Sequence, residues 1–377
     1  MNFSYTEDQI AIRDVAEKIF GDLGTDDQIK ACYDAEKSFH KELWAQLANS
    51  GLLAATLDGK FGGSELGFTE QCLIIEEHGK VVAPIPLVET VVECAMPIAK
   101  FAGEALQQRI LPGVASGELL LTSVRSYQGL RDKQPLVAKA SDQGWTLSGD
   151  SSIVTYASLV NGFLITAKTE DGASWVGYCD ANAAGLSITE QRSMSSEMAG
   201  HLSFENVAVA ADNLVAVGDE ADALVEWQAQ RTYVALAAQQ VGVLKSGVKR
   251  AAEYTCERAQ FGKPLASFQA VAQQAADAYM AIEALQGVYW RALDDIDRAR
   301  PESEMSTRVA KFWVCEAGHV AAHIFLHVHG GIGQDLDYPV HRFFLWAKKN
   351  EAYLGAASKQ SVALGELIRN DVEKVAI

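Results

Sequence analysis

A chain of 377 residues that is 49 % hydrophobic can bury the core of two or three domains, or of one large one. Its formal charge of −17 argues against the broad basic surface that nucleic acid or an anionic membrane selects, while leaving room for a local basic pocket around a nucleotide phosphate. The first residues, MNFSYTEDQ, have neither a basic nor an apolar leader character, and no window reaches the apolar length of a membrane span. Six cysteines are scattered without CxxC or metal-type spacing, which reads as reduced thiols and a cytoplasmic location.

Thr6-Glu7-Asp8-Gln9 is a capping box, followed by a helix marked by Ile12, Val15, Ala16, Ile19 and Phe20. A second helix is expected over 38–50, then Gly51-Leu52-Leu53 and a loop from Asp58 to Gly67. Residues 69–82, 86–102 and 103–116 are helical by pattern. The period changes near Glu118. Eight short runs from Leu119 to Phe204, rich in β-branched and aromatic residues and separated by turn formers, predict a small β-barrel or sandwich. Asp212–Glu226 reads as an acidic connection. Four helices follow, over 227–256, 266–298, 304–329 and 341–370, in the manner of an up-down bundle. The expected domains are 1–117 (helical), 118–215 (β) and 216–377 (four-helix bundle).

The stretch from Arg231 to Gln269 carries most of the information. Val234, Ala237, Ala238, Val241, Leu244 and Val248 make one apolar helical stripe. It ends in Arg258-Ala-Gln-Phe261-Gly262-Lys263-Pro264, a tight turn with Gly and Pro where their backbones suit it, and Gln269 opens the next helix. An Arg fork suits phosphate and a Phe ring suits a flat apolar ligand; an ordinary helix corner, with Phe261 in the core and Arg258 capping carbonyls, is the alternative.

This string, Y-x-x-x-R-x-x-F-G followed by Q, resembles the signature of the acyl-CoA dehydrogenase family. Trp44-x-x-Leu47-x-x-x-Gly51-Leu52 and Phe61-Gly62-Gly63-x-x-Leu66-Gly67 are similar to its N-terminal domain. The resemblance covers essentially the whole chain. It implies an α+β multidomain architecture: N-terminal helical domain, middle β-barrel and C-terminal four-helix bundle. It also implies FAD as cofactor, an acyl-CoA thioester as substrate, and an electron-transfer flavoprotein as acceptor. In the family the Arg–Phe–Gln segment reaches across a dimer interface to the neighbour's FAD, which nominates Arg258, Phe261 and Gln269. The family's Q-x-x-G-G-x-G loop appears as His327-Val-His329-Gly330-Gly331-Ile-Gly333, which adds His327, Gly330 and Gly331.

Other positions depart from the family. The catalytic glutamate belongs either in the last helix, where this chain has Tyr353-Leu354-Gly355-Ala356, or 29 residues before Phe261, which is Thr232; neither Leu354 nor Thr232 is a base. No catalytic residue is recognised. Glu351, one turn before Leu354, is a substitute candidate, while Glu226, Asp335 and Asp337 read as solvated or capping carboxylates. The strand that holds a chain's own flavin reads Thr122-Ser123-Val124-Arg125-Ser126-Tyr127, and the second flavin string reads Ile153-Val154-Thr155-Tyr156-Ala157, so Thr122 and Thr155 are retained and the rest is altered. His319, His323 and His327 lie on one helical face, but without HExxH or a nearby carboxylate beyond Glu316 no metal is assigned.

Elements serving a neighbour's FAD are thus kept, and those serving this chain's own flavin are degraded. The resemblance is to the non-catalytic subunit of bacterial heterotetrameric dehydrogenases of steroid side-chain degradation, in which a paralogous subunit supplies the glutamate in an α2β2 assembly. A self-sufficient homo-oligomer using Glu351 and a flavin-free scaffold are the rivals.

Overall fold

The computed structural model describes residues 5–35, 38–125 and 135–370. Ser126 and Tyr127 of the altered flavin string lie outside them. In chain order come α1 (Glu7–Leu23), α2 (Asp26–Asp34), α3 (Lys41–Asn49), α4 (Phe68–Val81), a π-helical segment Val88–Ala95 running into α5 (Met96–Phe101), and α6 (Glu104–Ala115). The strands are β1 (Leu121–Arg125), β2 (Val137–Ser141), β3 (Gly144–Thr155), β4 (Gly162–Thr169), β5 (Ser174–Asp180), β6 (Leu186–Arg192), β7 (Met198–Ala210) and β8 (Leu214–Val217). There follow α7 (Asp219–Glu257), the two-residue strands β9 (Ala259–Gln260) and β10 (Lys263–Pro264), α8 (Gln269–Asp297), α9 (Ser303–His329), α10 (Val340–Ala352) and α11 (Ala357–Asn370).

The architecture is the expected one, with local differences that have physical causes. The capping box forms: Thr6 Oγ1 accepts from the Gln9 amide and Gln9 Oε1 accepts from the Thr6 amide. Two expected strands over 145–157 are one strand, β3. Register shifts between Leu147 and Gly149 and between Ser151 and Val154 interrupt the alternation that would have joined them. The acidic connection is partly helix: Asp219, Glu220 and Asp222 form the first turn of α7, where carboxylates favour the positive end of the helix dipole. Helix α2 and strand β8 have no counterpart among the expected elements. The last expected helix is two, α10 and α11, broken where Leu354 (φ +58°) and Gly355 (φ +102°) leave helical geometry.

Contacts divide the chain into two compact units: residues 1–31, 68–83 and 233–377, and residues 32–67 and 84–232. The N-terminal helices are shared between the two, and α7 begins in one and ends in the other.

In the second unit the sheet follows the path β6-β7-β3-β2-β4-β5-β8, with β1 parallel to β4 beside it. Successive residues of β4 and β5 serve two cores. Leu164, Val176 and Tyr178 pack with α5, α6 and the start of α7. Phe163, Ile165, Trp175 and Cys179 pack with residues of β2, β3 and β7. Strands β5 and β7 touch although they are not neighbours in the path, so the sheet curls round this second core.

In the first unit, α4 and α7 cross backbone to backbone. A Cβ at Gly79 would run into the Gln239 carbonyl, and one at Gly242 into the Glu76 carbonyl. Beside that crossing the buried His78 ring is stacked on Phe20 and edge-on to Trp346. Deeper, Gln240 of α7 donates to the carbonyls of Val314 and Ala347 and accepts from Asn350. Lys311 of α9 has 0 % exposure and donates to the Asn350 and Glu351 carbonyls, each at 3.0 Å. This polar lattice, in which Asn350 Oδ1 alone of the atoms involved finds no partner, fixes the C-terminal end of α10.

Candidate functional site

Helix α7 ends at Glu257, and the Arg258 amide still bonds to the Tyr254 carbonyl at 2.8 Å. Ala259–Gln260 then pairs antiparallel with Lys263–Pro264. The two residues between, Phe261 (φ +53°) and Gly262 (φ +79°), both lie in the left-handed region that a two-residue hairpin needs. Gly adopts it freely; Phe does so at a cost of about 1 kcal/mol. The turn holds Phe261 out of the protein, 93 % exposed, touched edge-on by Phe268 at 6.3 Å between ring centroids. The core-Phe alternative is therefore wrong. Arg258 and Gln269 are exposed on the same corner.

The glycine turn follows α9. Gly330 has φ +63° and ψ −142°, its amide bonds to the His327 carbonyl, and Cβ atoms added to Gly330 or Gly331 would meet nothing within 4 Å. His327 is exposed; His329 is 3 % exposed. The His329 ring is stacked on Tyr254 at 4.6 Å and tilted at 24°, with Tyr338 on another side at 5.3 Å. The arginine corner and the glycine turn, separate in sequence, are thereby joined in one unit. His329 received no role from the sequence, and its place beside the Gly–Gly pair was the available signal.

The two positions expected from the sequence for the family's base hold no ionisable side chain. Thr232 is fully buried, with Oγ1 donating to the Gln228 carbonyl at 2.9 Å. Leu354 is 9 % exposed. The Glu351 carboxylate is held by Lys348, with His319 Nδ1 3.8 Å away. Glu226 accepts from the Gln230 amide at 3.1 Å, Asp335 from the Asp337 amide at 3.0 Å, and Asp337 pairs with Lys30 at 3.3 Å. Of the histidine face, His323 Nδ1 donates to the His319 carbonyl and the Lys348 ammonium approaches His319 Nδ1 at 3.1 Å. Among the described residues no group of three or more His, Cys, Asp or Glu could hold a metal ion.

On the sheet, Thr122 is 1 % exposed, and Thr155 is half-buried opposite Ala199 of β7. Around the C-terminal end of β1 lies a buried polar cluster that sequence reading missed. Glu93, 0 % exposed on the π-helical segment, accepts from Ser123 Oγ at 2.6 Å and from Arg125 at 3.4 Å. Arg125 also donates to Gln228 Oε1 at 3.1 Å, and the Gln228 amide donates back to the Glu93 carbonyl oxygen. Glu89 and Glu93 are both buried on this π-helical segment. Two carboxylates four apart in the apolar run VETVVECA were the signal. Just after β3, Tyr156 (φ +59°) is buried and donates to Glu197, which also accepts from Ser195 Oγ at 2.6 Å. Burial, with Glu197 second, pushes the Tyr156 hydroxyl well above its ordinary pKa.

Residues 6–118 match the acyl-CoA dehydrogenase N-terminal domain and residues 223–364 the C-terminal domain of the same family. Acyl-CoA dehydrogenase FadE27 of Mycobacterium tuberculosis is 32 % identical over 97 % of this chain and 98 % of its own length. The chain belongs to the acyl-CoA dehydrogenase family. Members of the family are oxidoreductases that act on the CH–CH bond of acyl-CoA, with FAD as cofactor. FadE28 of the same organism is 29 % identical over 85 % of this chain and 91 % of its own length. Among solved structures, the ChsE4–ChsE5 complex of Mycobacterium tuberculosis superposes with a TM-score of 0.91 at 31 % identity, covering 98 % of this chain and 99 % of the matched one. The Tcur3481–Tcur3483 steroid dehydrogenase gives 0.89 at 36 % identity, with 97 % and 99 % covered. Among the described residues no helix is long and apolar enough to cross a membrane.

Proposed function

We propose that this acyl-CoA dehydrogenase is the non-catalytic subunit of a two-gene enzyme that desaturates a bulky CoA thioester of the steroid side-chain type. It lends Arg258, Phe261, Gln269, His327, Gly330 and Gly331 to an FAD shared with a paralogous subunit, which supplies the glutamate and completes an α2β2 tetramer. An electron-transfer flavoprotein is the proposed acceptor.

The observation that carries this reading is the contrast between two surfaces. The corner fits the cofactor: an exposed guanidinium for phosphate, an unpacked aromatic ring held out by a strained turn, and two glycines with open space where side chains would be. Bound FAD supplies the hydride-accepting ring. The strand on the barrel side fits it poorly, because Ser123 and Arg125 are turned inward to Glu93 and Thr122 is enclosed. Both base positions lack a carboxylate, and the substitute Glu351 is occupied by Lys348. Further support comes from similarity to subunits solved as a two-protein complex.

The test is to purify the chain alone and together with its paralogue, then read flavin absorbance and its bleaching by acyl-CoA. The expected result is a colourless, inert lone chain and a yellow complex that bleaches. A lone chain that is yellow and bleaches would overturn the proposal in favour of the self-sufficient enzyme. In the complex, Arg258→Ala is expected to lower FAD occupancy; unchanged occupancy would favour the flavin-free scaffold.

A further inference from the structure

We infer that His329 is a positioning residue: its uncharged imidazole locks the Arg258–Phe261 corner and the Gly330–Gly331 turn into one register, so that a flavin can be held only while the ring is neutral. The inference rests on the shared-FAD reading above and adds a residue and a pH dependence to it.

The geometry dictates the tautomer. Nδ1 lies 2.6 Å from the Phe325 carbonyl oxygen, an acceptor, so Nδ1 carries the proton. Nε2 is then a bare lone pair, buried and without a hydrogen-bond partner. A second proton would place a charge on that buried atom with nothing to accept its hydrogen bond. It would also charge a ring stacked on Tyr254, one turn before Arg258, on one side and next to Gly330 in the chain on the other.

The charged and titratable neighbours agree. From α7 come Tyr254 and Arg250, with Glu257 further along; Arg250 disfavours a second cation at His329. From α2 comes Asp26, which is already engaged with Arg250 through two bonds of 2.7 and 2.9 Å. From the segment after the glycine turn comes Tyr338, and from α10 come His341, whose Nδ1 donates to the Tyr338 carbonyl at 2.7 Å, and Arg342. Burial first, and then Arg250, hold the His329 pKa below its ordinary value.

The experiment uses the complex with its paralogue. Free-flavin fluorescence is followed from pH 8 to pH 5 for wild type, His329→Phe, His329→Ala, His341→Phe and Arg258→Ala, with circular dichroism and tetramer mass as checks. Wild type is expected to retain FAD at neutral pH and release it on acidification. His329→Phe keeps the stack and cannot be protonated, so it should bind within a few-fold of wild type and lose the acid release. His329→Ala should weaken FAD at pH 8 about tenfold, a loss of about 1.4 kcal/mol. His341→Phe should keep the acid release. Persistence of the wild-type acid profile in His329→Phe would overturn the inference, as would undiminished FAD affinity in a folded His329→Ala. If His329→Ala does not assemble, the profiles of wild type and His329→Phe still decide it. Should Arg258→Ala lose FAD while the His329 variants behave as wild type, only the positioning role fails. If Arg258→Ala also retains FAD, the shared-flavin reading fails first.

Discussion

A lysine with no exposed surface has to place its ammonium protons inside the protein. Lys311 does so on the last carbonyls of α10 and on Cys315, 3.3 Å away, and burial holds its pKa below the ordinary value. Lys311→Met keeps the stem and leaves those carbonyls unpaired, each at about 1–3 kcal/mol. Denaturant unfolding should show a loss of about 2–4 kcal/mol without a change in slope. His329 and His341 give the pH dependence of stability, and its sign follows from the direction of their shifts. Both folded values are lowered by burial, so on acidification the unfolded chain binds protons first. Melting temperature should fall as pH drops below about 6.5, level off once both folded rings are charged, and fall less in His329→Phe. At this scale the capping box was legible because its partners are three residues apart. The cluster of Glu93, Arg125 and Gln228 was not, since Arg125 lies 32 positions from Glu93 and 103 from Gln228 along the chain.

Between elements, the crossing of α4 and α7 leaves no volume for a methyl group. Gly79→Ala would push a Cβ into the Gln239 carbonyl, a rigid backbone atom. The expected cost is about 3 kcal/mol, at the upper end of overpacking. Thermal melting should show it, and Gly287→Ala, in open space on α8, should be neutral or slightly stabilising by comparison. Periodicity located α8 and α9 well because one apolar face persists along each. It merged α10 with α11, because Leu354 is apolar and in phase while its backbone is left-handed. It likewise divided β3 in two, because Gly149 (φ +125°) and Ile153 (φ +58°) shift the register that alternation depends on.

For the whole molecule, family membership was readable from short strings at Trp44, Phe61, Arg258 and Gly330, while the proposed non-catalytic role rests on residues that are missing. A carboxylate placed at Leu354, one of the positions expected to carry the family's base, tests that proposal. In the lone chain, Leu354→Glu is expected to stay colourless and inactive toward acyl-CoA. The barrel-side strand remains turned toward Glu93, and a base without a flavin has no hydride acceptor beside it. Flavin absorbance and bleaching are the checks, and measurable turnover would show that the missing carboxylate was the only defect.

The turn at Phe261 has opposite consequences in two states of the same chain. Free in solution, the chain carries a left-handed phenylalanine and an aromatic ring in water; in the proposed complex it gains what that ring covers. On that proposal, pairing and solitary robustness pull this one position in opposite directions. Phe261→Gly relieves the backbone and removes the ring. It should raise the melting temperature of the unassembled chain, or leave it unchanged, while weakening its hold on its partner. If the chain is the subunit of a two-gene enzyme proposed above, it is a poor monomer by construction, and an imbalance in supply between the two genes would be felt first as surplus, sticky subunits.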